Sequence, residues 1–240
     1  MKLDNPLLVG WEYASEERFA KRTAMFHALL SGGNPDHVAY ETVAEANPKR
    51  ILDVGCGLGE TTERFVKELG ADVQAIDLSP RMVELSRTRG IDAHVGDVQA
   101  LPFADGAFDC VFAGWVFYHV PDLEKAVAEC ARVLRPGGRL VASSYFENNM
   151  DELWNLIDGL GPREALSFSH TNGGELLQRY FATVERRDFE ATLTFPDTQS
   201  IREFVASTID RAHLAPLMPE VDGPFCATTR HVIFIAEKGG

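Results

Sequence analysis

The sequence lacks paired cysteines. Its four cysteines, Cys56, Cys110, Cys130 and Cys226, lie far apart and form no CxxC pair. Structural zinc sites and dithiol redox motifs depend on such close pairs. We therefore expect reduced, mostly buried cysteines and no metal site.

Long apolar runs and an excess of basic residues are also missing. The most apolar stretch, CVFAGWVFYHV, is far shorter than the roughly 20 residues of a membrane-spanning helix. The first residues contain no apolar segment of signal-peptide length. The formal net charge is −13, and an acidic surface repels the phosphates of nucleic acids. These absences predict a cytoplasmic protein without membrane or nucleic-acid partners. We expect a monomer or a homodimer.

What the sequence does contain is a regular alternation of strand and helix patterns from residue 50 onward. Apolar strand patterns such as RILDVG and DVQAIDL are separated by helix patterns such as TTERFVKELG. Helix boundaries are marked by Gly70 at one end and by Ser79-Pro80 at another. Strands separated by helical crossovers predict an α/β fold with a doubly wound, mostly parallel sheet and helices on both faces.

The flanking segments predict two covering elements. Residues 1–48 carry helix patterns over 15–31 and from Asn34-Pro35 onward, which indicates an N-terminal helical cap or lid. Residues 49–240 then form the sheet domain. Within that domain a helix and a proline-rich loop at about 197–227 predict a cap insertion over one end of the sheet.

Distinctive residues stand at the ends of the first four strands of this domain. A glycine loop, GCGLG at 55–59, follows the first strand, and Asp77 ends the second. Asp97-Val98 ends the third strand, and Ala113-Gly114-Trp115 ends the fourth. Because ligands of open α/β sheets bind beyond the carboxyl ends of the strands, these residues are expected to converge on one crevice.

Each of these residue types suits part of a nucleoside. Asp77 is placed to accept hydrogen bonds from both ribose hydroxyls. Asp97 is suited to accept from an adenine amino group, while the Val98 backbone N–H donates to a ring nitrogen. The apolar residues expected to pack on the ring face are Leu78 and Met82.

The glycine loop itself favours a cation over a phosphate. Asp53 stands two residues before Gly55, and a fixed carboxylate there repels pyrophosphate and attracts positive charge. The spacing is GxGxG, with Glu60 where the last glycine of a dinucleotide fingerprint would fall. A positively charged ligand with an adenosine end fits this loop better than a dinucleotide does.

In order along the chain, these motifs resemble those of class I S-adenosylmethionine-dependent methyltransferases, especially the small-molecule group with an H-x-P-D motif. The matching runs are DVGCGLG, the strand ending at Asp77, GDVQALPF, FDCVFAGWVFYHVPD and LRPGG. The resemblance covers residues 50 to about 145. It implies a seven-stranded Rossmann-like sheet with the last strand antiparallel, S-adenosyl-L-methionine as cofactor, and a methionine part beside Gly55 and Gly57. The predicted cofactor-binding residues are Asp53, Gly55, Cys56, Gly57, Asp77, Leu78, Met82, Asp97, Val98, Ala113 and Tyr13.

The residues facing the methyl acceptor are less marked. His119 is a candidate general base, because an imidazole is poised to take a proton near neutral pH; the alternative is a residue that shapes the turn before Pro121. Trp115, Tyr118 and Trp154 are candidate pocket walls or ordinary core. Arg22 either pairs with the cofactor carboxylate or lies on a solvated helix face.

The function predicted from these observations is methyl transfer to an O, N or C atom of a small molecule. Two alternatives stay open at this point. A nicotinamide-dependent oxidoreductase shares the strand, glycine loop and acid, and a non-catalytic module can keep the cofactor fold without turnover.

Overall fold

The structure, a computed structural model, describes residues 3–157, 160 and 164–240. Its strands all belong to one sheet. In chain order they are β1 Leu30–Ser31, β2 Arg50–Val54, β3 Asp72–Asp77, β4 Asp92–Val95, β5 Phe108–Gly114, β6 Leu134–Tyr145, β7 Thr183–Phe195 and β8 Phe225–Glu237. The helices are α1 Pro6–Glu12, α2 Glu17–Leu29, α3 Pro35–Ala44, α4 Glu60–Leu69, α5 Pro80–Thr88, α6 Leu123–Val133, α7 Asp151–Trp154, α8 Gly173–Leu177 and α9 Thr198–Ser207. Short 3₁₀ helices cover Phe117–His119 and Ala212–Leu217.

The strand order is β1-β7-β8-β6-β5-β2-β3-β4. The pairs β2–β3, β3–β4, β2–β5 and β5–β6 are parallel, whereas β8 is antiparallel to both β6 and β7. The predicted mostly parallel sheet with an antiparallel last strand is confirmed. The strand count differs by one, because Leu30–Ser31 adds a two-residue antiparallel strand to the edge of β7. A segment of two residues is too short to leave a strand pattern in the sequence.

The central strands are apolar on both faces. In β2 all residues after Arg50 are buried, as expected for a parallel strand covered by helices on each side. The predicted caps also form: Asn34 and Ser79 each accept a hydrogen bond from a backbone N–H of the helix they precede, and Gly70 ends α4 in the left-handed conformation. These elements hold the carboxyl ends of β2, β3, β4 and β5 at one edge of the fold.

The N-terminal segment contains one helix more than expected. Asn5 caps α1, with Pro6 in its first turn, the same signal that marks the start of α3. The helix predicted over 15–31 is α2, and it gives way to β1 at Leu30. Residues 148–161, NNMDELWNLIDGLG, also have a helical pattern in the sequence. Among the described residues of that stretch only Asp151–Trp154 is a helix, and residues 158, 159 and 161 lie outside the described residues.

The segment 197–227, predicted to be a cap insertion, packs against α2. Asp197 and Ser200 form a capping box at the start of α9. Ile201, Phe204 and Val205 of α9 belong to an apolar cluster against which Met25, Phe26 and Leu29 of α2 pack. The division into a 1–48 cap and a 49–240 domain stays a prediction.

Candidate active site

The glycine loop after β2 is fastened to the end of β3. The backbone N–H groups of Gly55 and Cys56 donate to the Ile76 carbonyl at 2.8 and 3.1 Å. The Gly57 N–H donates to Asp77 Oδ2 at 2.9 Å. Gly55 and Gly57 have φ of +75° and +54°, in the left-handed region that favours glycine.

Close packing adds a second requirement for glycine at position 55. An added Cβ on Gly55 would lie 1.9 Å from Val116 Cγ2, whereas one on Gly57 would lie 3.3 Å from Phe19 Cε1 of α2. Val116, which follows β5, therefore lies close against the loop at Gly55, and Phe19 of α2 lies near it at Gly57.

Asp53 is a buried carboxylate at the base of the loop. Its exposure is 2%, and it accepts a hydrogen bond from the Thr62 hydroxyl in α4. Burial raises the pKa of Asp53 to about 7, and the Thr62 hydrogen bond only partly opposes that rise. A cation beside Asp53 would favour its ionised form, because opposite charge offsets the cost of burying the carboxylate.

Asp77 and Asp97 stand at the ends of the next two strands. Asp77 accepts from the Gly57 N–H and from the Ser79 N–H at 2.8 Å. Burial raises its pKa, and these two N–H groups oppose the rise. Asp97 accepts from the backbone N–H and the side-chain amide of Gln99. Both carboxylates are thus held in fixed orientations, and an Asp oxygen can accept more than one hydrogen bond.

These residues line one cavity of about 770 Å³, within the roughly 300–1,000 Å³ usual for ligand pockets. The predicted site residues on its wall are Tyr13, Asp53, Gly55, Cys56, Gly57, Asp77, Leu78, Asp97, Val98, Trp115, Tyr118, His119 and Trp154. Met82 and Ala113 are fully buried and are not on that wall. Leu78 is 57% exposed, so it borders the cavity mouth. The structure therefore brings together all but two of the predicted residues.

His119 is enclosed by the N-terminal segment. Its Nδ1 lies 2.9 Å from the Leu3 carbonyl, which only accepts, so Nδ1 carries the proton. Nε2 then accepts from the Tyr13 hydroxyl at 3.1 Å. Burial lowers the pKa of His119 to about 4. At neutral pH the imidazole is uncharged, and its lone pair is engaged by Tyr13.

The Trp115 side chain on the cavity wall is held by a hydrogen bond to a histidine of β8. Trp115 has a φ of +55°, an uncommon conformation for a non-glycine residue, and its Nε1–H donates to His231 Nδ1 at 3.3 Å. His231 Nε2 in turn lies 2.8 Å from the Thr229 hydroxyl. Burial lowers the pKa of His231 to about 4. Trp154 lies 4.6 Å below the Arg211 guanidinium.

The helices α1 and α2, which cover one side of the cavity, are linked by a buried carboxylate. Glu12 at the end of α1 is 1% exposed and accepts hydrogen bonds from Arg18 and Arg22 of α2. Arg22 also donates to the Ser207 carbonyl of α9 at 2.9 Å. Arg22 therefore faces the cavity and does not lie on a solvated helix face. The N-terminal segment is attached to the start of α5 as well, because Ser79 Oγ donates to the Tyr13 carbonyl at 2.6 Å.

Several residues of the site were missed by sequence reasoning. Thr62 carried a signal, since a hydroxyl in the first turns of the helix after a glycine loop is within reach of the strand before it. Tyr145 and His231 carried none, because they come from distant strands that meet only in the folded sheet. No group of three or more potential metal ligands occurs within the described ranges. No helix in those ranges is long and apolar enough to cross a membrane.

Residues 52–142 match the family described as "Methyltransferase domain". The chain is 37% identical over 146 residues to a malonyl-[acyl-carrier protein] O-methyltransferase of Methylococcus capsulatus, covering 57% of this chain and 53% of that protein. It is 40% identical over 136 residues to a demethylmenaquinone methyltransferase of Thermus thermophilus, covering 52% of this chain and 62% of that protein. The chain thus spans between half and two thirds of the length of these curated relatives.

Solved structures share the fold. A putative methyltransferase from Bacillus halodurans matches with a TM-score of 0.61 and 19% identity, covering 87% of this chain and 100% of that one. A possible histamine N-methyltransferase from Thermotoga maritima matches with a TM-score of 0.61 and 18% identity, covering 95% and 99%. At such identities the likeness concerns the fold alone.

Proposed function

We propose that this chain, whose residues 52–142 match the family described as "Methyltransferase domain", is a class I S-adenosylmethionine-dependent methyltransferase. It transfers the methyl group of S-adenosyl-L-methionine to an O, N or C atom of a small molecule. The observation that carries the proposal is the buried carboxylate of Asp53 at the base of the glycine loop. A pyrophosphate would be repelled there, whereas a cationic ligand would be attracted.

The proposed cofactor contacts follow the strand ends. Asp77 accepts from the ribose hydroxyls and Asp97 from the adenine amino group, with the Val98 N–H at the ring and Leu78 on its face. Gly55 and Gly57 allow the methionine part to approach the backbone. The proposed set of cofactor contacts also includes Cys56, Tyr13, Met82 and Ala113. Met82 and Ala113 are buried behind the cavity wall, so they would support the cofactor site indirectly.

The cofactor supplies an already activated methyl group, so the chain's main tasks are orientation and exclusion of water. Trp115, Tyr118 and Trp154 suit an apolar acceptor side. A general-base role for His119 stays a proposal, and two features of its environment oppose that role. Tyr13 must leave Nε2 before His119 can accept a proton from the acceptor. A pKa of about 4 also makes the imidazole a weak base at neutral pH.

Calorimetric titration with S-adenosylmethionine, S-adenosylhomocysteine and NAD tests the function. We expect the two sulfur ligands to bind one site and NAD to show no binding at the same concentration, because its pyrophosphate would face Asp53. Incubation with S-adenosylmethionine and a metabolite mixture should then release S-adenosylhomocysteine. NAD binding alone would favour the oxidoreductase, and binding without turnover would favour a non-catalytic module.

Cofactor binding should depend on the ionisation of Asp53. Since the free carboxylate has a pKa of about 7 and a cation stabilises its ionised form, affinity should be constant above pH 7 and fall by up to about tenfold per pH unit below it. Binding at pH 6 should release a proton, measurable by calorimetry in buffers of different ionisation enthalpy. Asp53→Asn should abolish this release, and Asp72→Asn, an exposed carboxylate on β3, should keep it. A pH-independent affinity in the wild type would contradict the assignment.

We further propose a cytoplasmic enzyme, monomeric or homodimeric, that acts without nucleic-acid or membrane partners. The net charge of −13 supports the exclusion of nucleic acid.

A further inference from the structure

Aromatic rings from four elements surround His231 of β8. Their ring centroids lie 5.1 to 6.3 Å from that of His231; the rings are those of Phe26, Trp115, Tyr145 and Phe189. His231 is opposite both Tyr145 and Phe189 in the sheet, because β8 lies between β6 and β7. Phe26, Trp115 and Tyr145 line the cavity, and we call these three rings the aromatic wall.

Trp115 is the residue of the aromatic wall with an unusual backbone. Its φ of +55° is uncommon for a residue other than glycine. Such conformations persist where the surrounding structure fixes them, and they concentrate at functional sites. The Trp115 backbone N–H donates to the Ser143 carbonyl at 3.2 Å, and its indole Nε1–H donates to His231 Nδ1 at 3.3 Å. Both the backbone and the ring of Trp115 are therefore held.

The hydrogen bonds that run from Trp115 through His231 to Thr229 have one direction. An indole N–H only donates, so His231 Nδ1 is unprotonated and accepts. His231 Nε2 then carries the proton and donates to the Thr229 hydroxyl, 2.8 Å away. Thr229 and His231 are 0% and 1% exposed, whereas Trp115 is partly exposed. A ligand in the cavity can thus reach the indole, and the buried imidazole holds that indole in place.

The same hydrogen bond determines what the indole offers to a ligand. Its single polar group is taken by His231, so a ligand meets the ring surface of Trp115 and not a free donor. Aromatic rings contact such a surface in edge-to-face or offset-stacked arrangements, which contribute beyond the burial of area. A planar aromatic ligand should therefore gain more from this wall than a saturated ligand with the same skeleton.

Polar side chains of the cavity wall already have partners within the protein. These are Asp36 with His27 Nε2 at 2.8 Å, Glu147 with the Thr171 hydroxyl at 2.7 Å, Asn149 with the Arg230 N–H at 2.7 Å, and Arg22 with Glu12. A polar group of a ligand would compete with these partners, whereas contact with a ring face requires only the removal of water.

We propose that the methyl acceptor is a planar aromatic compound that packs against the aromatic wall, and that His231 positions the Trp115 indole for this contact. The inference rests on the proposed function and names its substrate class. His231 is a positioning residue, since it acts through Trp115 and is itself buried.

The test of the substrate class compares 2-naphthol with decahydro-2-naphthol, which share a carbon skeleton and a hydroxyl position and differ in aromaticity. Their dissociation constants are measured by ligand-observed NMR with and without saturating S-adenosylhomocysteine. We expect 2-naphthol to bind at least about threefold more tightly, because a single aromatic pair is worth about two- to tenfold beyond area burial.

Two variants of His231 separate the hydrogen bond from ring packing. His231→Phe keeps an aromatic ring and removes the acceptor, whereas His231→Asn removes the ring and keeps an acceptor atom attached to Cγ, as Nδ1 is. We expect His231→Phe to lose most of the preference for 2-naphthol and His231→Asn to retain it. The affinity for S-adenosylhomocysteine should change little in either variant. If His231→Phe does not fold, His231→Leu replaces it, because leucine and asparagine both lack the ring and only asparagine keeps the acceptor.

The indole N–H of Trp115 reports the hydrogen bond directly. The chain has three tryptophans, and the Trp115 signal in a nitrogen–proton NMR spectrum is the indole signal missing from Trp115→Phe. In His231→Phe this signal should move upfield and exchange with solvent about five- to tenfold faster, as expected for the loss of one hydrogen bond. His231→Asn should keep the signal protected. His94→Phe is the control, since His94 is exposed on β4 and is not on the cavity wall.

Equal or tighter binding of decahydro-2-naphthol to the wild type, or no binding of 2-naphthol at millimolar concentration, would overturn the aromatic acceptor. A preference that survives in His231→Phe and is lost in His231→Asn would overturn the positioning role, because ring packing would then explain the effect. An indole signal that is the same in the wild type and His231→Phe would also overturn that role. Failure of S-adenosylhomocysteine to bind the wild type would instead contradict the proposed function, since the probes are also titrated without it.

Discussion

The Gly55→Ala variant is expected to lose detectable cofactor binding and about 2–5 kcal/mol of stability. A left-handed conformation costs a non-glycine residue about 1–2 kcal/mol, and overpacking costs about 1–3 kcal/mol more. Both costs apply, because Gly55 has a φ of +75° and its Cβ would lie 1.9 Å from Val116 Cγ2. Urea denaturation gives the stability, and calorimetry with S-adenosylhomocysteine gives the affinity.

A second substitution separates the two costs. In the Gly55→Ala/Val116→Ala variant the clash is relieved and the backbone strain remains, so part of the stability should return. Gly10→Ala is the control, since a Cβ there meets nothing within 4 Å. A folded Gly55→Ala protein with wild-type affinity would show that the loop does not hold the ligand.

The Asp77→Ala variant should bind S-adenosylmethionine more weakly by about 1.5–3 kcal/mol, the range for hydrogen bonds to a charged group. The effect has two sources. The carboxylate would no longer accept from the ribose, and the Gly57 N–H would lose the acceptor that now lies 2.9 Å away. Calorimetry on a variant shown to be folded by circular dichroism measures the loss.

Ser79→Ala tests whether local structure alone explains that loss. This substitution removes the hydroxyl that caps α5 and donates to the Tyr13 carbonyl. It leaves the Asp77 carboxylate in place. We expect a cost of about 1 kcal/mol in stability and a much smaller change in affinity than Asp77→Ala gives. Equal losses of affinity in the two variants would remove Asp77 from the ribose contact.

The sheet was largely predictable because its signals are local. Apolar strand runs, Ser79-Pro80 and Gly70 each mark a boundary within a few residues of the chain. The resemblance to class I methyltransferases, read from the same stretch, agrees with the match of residues 52–142 to the family described as "Methyltransferase domain". β1 was not predicted, because its pairing with Leu193 and Thr192 of β7 depends on a strand more than 150 residues away.

The residues of the candidate site were predictable only where the order and direction of the strands fix their positions. Asp53, Asp77 and Asp97 meet because parallel strands end at one edge of the sheet. The environment of His119 could not be read in this way, since its partners Leu3 and Tyr13 lie 116 and 106 positions earlier in the chain. Whether Met82 reaches a wall or the core depends likewise on packing, and it is fully buried.

The position of β8 between β6 and β7 constrains the order in which the protein can be assembled during synthesis. Within the described residues β7 pairs along its length with β8 and, near one end, with the two residues of β1. Before β8 is made, the two residues of β1 are therefore its partner strand among those residues. The β2–β6 region can form its parallel pairs earlier. Until β8 has been made, β7 and the edge of β6 are unpaired strand edges of the kind that promote aggregation. Slow translation between residues 183 and 237 would prolong that exposure.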